Sequence, residues 1–73
     1  MSNIKVIYLE NAEDFGYDAA WVHEVGGNMK SAFINNFHLL GHLPSLEQAK
    51  DLIILKAPNA GVSPVWRNGY VQA

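Results

Sequence analysis

The chain has 73 residues, of which 49% are hydrophobic and only 16% charged, with a formal net charge of −2 and no cysteine. A length and balance of this kind bound it to one small folded domain over 1–73, and they exclude an intrinsically disordered chain, a disulfide scaffold, a thiolate zinc site and a cysteine nucleophile. An acidic whole also disfavours holding DNA or RNA through phosphates, and no apolar run approaches the roughly 20 residues that cross a bilayer as a helix.

The opening MSNIKVIYLE carries a lysine inside a short apolar run and acidic residues soon after, which is not the pattern of a signal peptide. Within it, Ile4–Leu9 is rich in β-formers and predicts a first strand. A polar, acidic loop follows over Asn11–Gly16. Tyr17–Val25 alternates large apolar with polar residues and predicts a second strand, with Tyr17, Trp21 and Val25 on one face. Gly26-Gly27-Asn28 supplies the positive-φ residues that a hairpin turn needs.

Met29–Gly41 admits two readings. As a helix it places Phe33, Phe37 and Leu40 on one face, ends at Gly41, and pairs with the next helix in a two-helix hairpin. As a strand, Lys30–Ile34 pairs back on the second strand and Asn35-Asn36 begins an irregular connection. The adjacent asparagines, poor in helix interiors, and the preceding GGN turn favour the strand.

Ser45–Lys56 has the strongest signature in the chain. Ser45 and Gln48 form a capping box, Glu47 lies in the first turn, and Leu46, Ala49, Leu52 and Ile53 make one apolar stripe. Pro58 and the Asn59-Ala60-Gly61 run stop the helix. Val62–Val71 predicts a final strand region, limited at its start by Pro64 and turning through Asn68-Gly69 as a tight hairpin. The expected fold is therefore α+β: a small antiparallel sheet of three to four strands with one helix, 45–56, packed on it. A two-helix hairpin with short strands is the alternative.

No catalytic kit is visible. His38 and His42 have the spacing of a metal pair on one helix face, but Gly41 lies between them and no third ligand accompanies them. No serine sits in a G-x-S-x-G elbow, the carboxylates Glu13 and Asp14 are neighbours in a loop, and Gly26-Gly27 lacks the rest of a phosphate-binding loop. Neither a catalytic residue, a metal nor a cofactor is expected, so the chain is read as a non-enzyme. Its candidate contact residues are Trp66, Arg67 and Tyr70, of the types that anchor interfaces, presented at the tip of the last hairpin. Charge is uneven along the chain: Lys5 stands alone against Glu10, Glu13, Asp14, Asp18 and Glu24, whereas Lys30, Lys50, Lys56 and Arg67 outnumber Glu47 and Asp51. Glu10, Glu13 and Asp14 head an acidic face that would steer the chain toward a basic partner.

A cysteine-free chain of this length, with an acidic front, a capped helix and an aromatic-basic tail, resembles the very small proteins with which bacteriophages, those of Xanthomonas among them, bind and redirect host RNA polymerase. The resemblance is one of length and character over the whole chain; no diagnostic motif carries it, and it assigns no residue a role. It implies a monomer in the bacterial cytoplasm that binds the large subunits of RNA polymerase, displaces the σ factor and suppresses termination. A small nucleic-acid-binding accessory domain, or an inhibitor of another host enzyme, are the alternatives.

Overall fold

The computed structural model describes residues 3–24, 29–35, 37–59 and 61–72. Five strands form one antiparallel sheet: β1 (Asn3–Leu9), β2 (Ala20–Glu24), β3 (Lys30–Ile34), β4 (His38–Leu43) and β5 (Trp66–Gln72), in the spatial order β4-β3-β2-β1-β5. A short 3-10 turn (Ala12–Phe15) joins β1 to β2, and the single helix α1 (Leu46–Leu55) joins β4 to β5. The α+β class and the helix are as the sequence predicts; the strand count is five rather than three to four. Gly26-Gly27-Asn28 and Val25 lie outside the described residues.

The extra strand comes from the segment with two readings. Among the described residues, 29–43 contains no helix and no helix pair forms. Asn35 takes the left-handed conformation, φ 52°, and Phe37 does so as well, φ 57°. Asparagine tolerates this region because its short polar side chain bonds locally. Here the Asn35 side chain accepts from the Asp18 backbone N–H (2.9 Å), while its own N–H donates to the Ala19 carbonyl (2.8 Å). That turn sends β4 back along β3, with a register shift at Ala32/Phe33. Gly41 is thus a strand residue and not a helix C-cap.

α1 begins where its cap predicts. Ser45 is extended (φ −139°, ψ 156°), and its hydroxyl accepts from the Gln48 backbone N–H at 3.2 Å. The Gln48 side chain accepts from that hydroxyl instead of closing the usual reciprocal bond to the cap backbone. Ala49 and Ile53 are fully buried, with Leu46 and Leu52 packed half-buried beside them. The helix crosses β2, β3 and β4 on one face of the sheet. Small residues make the close approach possible: Ala20, Ala32 and Ala49 are buried at this contact, and Gly41 faces Leu52.

The loop after β1 closes the end of this core. Phe15 is among the largest fully buried side chains. Tyr17, expected on the same strand face as Trp21, precedes β2 and turns to the helix side instead. Its phenol donates to the Ile53 carbonyl at 2.7 Å. Carbonyls in the last turn of a helix lack intrahelical partners, so this side chain satisfies one from outside; burial pushes the phenol's pKa above its ordinary value of 10.0. Gly16 is left-handed, φ 90°, and a Cβ there would meet the Pro58 ring at 3.1 Å. The Asn59 N–H then donates to the Phe15 carbonyl at 3.2 Å.

β5 is an edge strand, as Pro64 just before it suggests, but it is continuous and contains no hairpin. It pairs with β1 from Asn3↔Gln72 to Leu9↔Trp66, so Asn68 and Gly69 are ordinary strand residues. Local turn propensity loses here to seven consecutive pairings. Asn11 guides the chain in: its side chain donates to the Ser63 carbonyl and accepts from the Val65 N–H, both at 2.9 Å. The glycine has a different use from a turn. A Cβ at Gly69 would lie 2.7 Å from the Tyr8 ring, so only glycine lets that ring rest against β5. Gly69→Ala is therefore expected to destabilise the fold by about 1–3 kcal/mol despite the better strand propensity of alanine; urea unfolding measures this, and an unchanged or raised midpoint would show that Tyr8 is free to move away.

Candidate protein-binding face

Residues directly opposite one another in an antiparallel pair project to the same side of the sheet. Ile7, Val22, Ala32 and Gly41 form such a row on the helix side. The neighbouring register gives Arg67, Tyr8, Trp21, Phe33 and Leu39, which runs across all five strands on the side that α1 leaves uncovered. Trp21 and Phe33 stack at 5.6 Å between ring centroids, 18° apart in plane. Phe37, carried on the β3–β4 turn, meets Trp21 edge-on at 5.1 Å and Phe33 at 6.2 Å. Both geometries are favourable for aromatic pairs. Trp21 is the floor, only 5% exposed, whereas Phe37 and Leu39 remain 52% and 43% exposed. The result is an apolar platform at the β3–β4 end of the open face.

At the β1–β5 end the same face opens into a groove of about 570 Å³, lined by Val6, Tyr8 and Trp21 and bordered by Glu10, Glu13 and Asp18. Glu10 accepts a hydrogen bond from the Arg67 guanidinium, which raises the pKa of that already basic group. Glu13 and Asp18 are exposed and engage no cation among the described residues.

Of the six residues singled out in the sequence, Glu10 and Glu13 meet along this groove, and Arg67 is tied to its rim through Glu10. Tyr70 pairs with Lys5 and by that register projects its ring to the helix side, so only its stretch of β5 borders the groove. Asp14 is exposed beside Glu13 but does not line it. Trp66 is elsewhere. With β5 a continuous strand, Trp66 and its neighbour Arg67 point to opposite faces. The indole lies half-buried on the helix side, where the Lys50 ammonium sits 5.7 Å from the ring centroid. There is thus no hairpin tip presenting Trp66, Arg67 and Tyr70 together. Tyr8, Trp21, Phe33, Phe37 and Leu39 complete the face, and sequence reasoning missed them in this role. Alternation in β1 and β2 offers part of the signal; their alignment into one row depends on register, which a single sequence does not display.

Among the described residues no group of three His, Asp or Glu side chains is arranged to hold a metal ion. His38 and His42 lie on a strand, where four residues span about 13 Å instead of one helical turn. His42 Nδ1 is 2.8 Å from the Ser31 hydroxyl, but that serine is only 4% exposed within the sheet, so the pair ties β3 to β4 and presents no accessible nucleophile. By strand alternation Lys5 and Lys30 project to the helix side, and Lys50 and Lys56 belong to α1 and its C-cap. Arg67 is the one cation this register places on the open face among the described residues, and Glu10 already holds it. No known protein family, curated protein or solved structure matches the chain.

Phe37 holds a backbone conformation that is costly for a large side chain, and its gain is contact with Trp21 and Phe33 on an otherwise open face. Phe37→Gly relieves the first and loses the second. The expected net change in stability is within about 1 kcal/mol. A thermal unfolding comparison checks it; a loss well beyond that would make Phe37 a core residue and not a surface one.

Proposed function

We propose that this chain is a non-enzymatic protein-binding regulator that uses its helix-free sheet face to occupy a surface of bacterial RNA polymerase, excluding the σ factor at initiation and suppressing termination. The observation that carries the protein-binding part is the aromatic row across the open face, apolar and half-exposed at Phe37 and Leu39 and acidic at Glu10, Glu13 and Asp18. Such a patch, with aromatic anchors at its centre and polar groups at its border, has the anatomy of a protein interface. A surface for nucleic acid would carry free cations beside its aromatics, because phosphate contacts dominate that affinity; here the aromatics are flanked by carboxylates. The choice of polymerase as partner rests on the resemblance in length and character.

The mechanism is steric and electrostatic. A sheet face held rigid by five paired strands loses little freedom on docking, so contact area converts efficiently into affinity. Carboxylates at one border raise the association rate with a basic surface and fix orientation. No turnover is required; occupancy alone blocks a competing factor.

Retention of the protein on immobilised RNA polymerase core enzyme tests this. Phe37→Gly combined with Leu39→Ser is expected to weaken retention about tenfold or more, since each removes an anchor at the patch. Leu55→Ser, on the outer face of α1 where the side chain is 80% exposed, leaves it unchanged. Undiminished retention of the double variant would move the interface elsewhere, and no retention of the unaltered chain would remove polymerase as the partner.

A further inference from the structure

The groove at the β1–β5 end of the open face differs in chemistry from the apolar platform beside it. Tyr8 and Trp21 supply aromatic surface, Tyr8 lying against Gly69 where no Cβ intervenes. The carboxylates come from one connection, the loop between β1 and β2. Glu10 follows the end of β1, fixed by its backbone N–H donating to the Val65 carbonyl at 2.7 Å; Glu13 lies in the 3-10 turn; Asp18 is set by its N–H bond to the Asn35 side chain. Two cross-chain hydrogen bonds and the 3-10 turn therefore hold three carboxylates along the border of one aromatic groove.

We infer that this groove receives an arginine or lysine side chain from a basic segment of the partner protein, its cation lying against the aromatic surface and bonding to Glu13 and Asp18. The inference rests on the protein-binding reading and specifies what enters this part of the face. The argument is charge complementarity. Aromatic faces attract cations through their quadrupole, and carboxylates bond guanidinium and ammonium groups with charge-assisted strength. The chain itself displays the pairing once, since Arg67 docks its guanidinium on Glu10 at the same border. Glu13 and Asp18 are exposed and engage no cation among the described residues. An anionic segment would meet three carboxylates, and an uncharged one would leave the border without partners.

The test uses isotope-labelled full chain and two capped peptides, Arg-Gly-Arg-Gly-Arg and the same sequence with citrulline for arginine, which keeps the shape and removes the charge. The two indole N–H signals serve as internal probe and control, because Trp21 lines the groove and Trp66 lies on the opposite face. Titration with the arginine peptide is expected to shift the Trp21 signal saturably and leave Trp66 in place, while the citrulline peptide and a deoxythymidine oligonucleotide shift neither. Glu13→Gln with Asp18→Asn weakens the response about fivefold, as expected for two exposed charge pairs. Both side chains are solvent-exposed and make no side-chain hydrogen bond among the described residues, so the variant is expected to retain the fold. An unmoved Trp21 signal, an equal response to citrulline, or undiminished binding by the double variant overturns the inference. Polymerase retention that persists alongside such a failure leaves the protein-binding reading standing; peptide binding without polymerase retention keeps the inference and removes polymerase as the partner.

Discussion

A ten-residue helix covers only part of one face of a five-stranded sheet, and the way α1 docks decides what the rest of the surface becomes. It settles over β2, β3 and β4 through small residues, Ala20, Ala32, Gly41 and Ala49, which bring its axis close. Its C-terminal turn is held by the Tyr17 phenol on the Ile53 carbonyl. With the helix committed to that side, apolar side chains of the alternate register have only one another for cover. Trp21 is buried by its aromatic neighbours and not by a second layer, and Phe37 and Leu39 are left half-exposed. The open face is thus the complement of the core, produced by the same period-two alternation.

β1 supports both halves of this arrangement. It pairs with β2 on one side and along its whole length with β5 on the other, so residues far apart in sequence reach one surface. Tyr8 faces Trp21 and Arg67 across these pairings, and Glu10, just past the strand end, captures that arginine. The acidic loop is fixed from three directions: by the β5 lead-in through Asn11, by α1 through Tyr17, and by the β3–β4 turn through Asn35. Position and charge at the border are therefore set by the fold and not by free loop motion.

Much of the local structure is legible in the chain. Ser45, Gln48 and the Leu46-Ala49-Leu52-Ile53 stripe specify α1, because capping and period are short-range signals. Asn35-Asn36 and the β-forming Ile4–Leu9 point correctly to strands. The failures are long-range. HLLGHL has no β-branched residue and contains glycine, and becomes β4 only by pairing with β3. Asn68-Gly69 has the composition of a hairpin turn, yet seven pairings to β1 and the Tyr8 ring determine its conformation. Trp66 and Arg67 look like one cluster as neighbours, and strand alternation separates them by the thickness of the sheet. The acidic half of the candidate site was visible in composition; its aromatic half required register.

The account stands on the claim that the helix-free face is where a partner sits. Side-chain footprinting by hydroxyl radicals, on the chain alone and saturated with RNA polymerase core enzyme, tests this directly. The account predicts that labelling of Phe37, Leu39 and Tyr8 falls in the complex while Leu55 on the outer side of α1 reacts as before. Protection of Leu55 with Phe37 and Leu39 still reactive would contradict it.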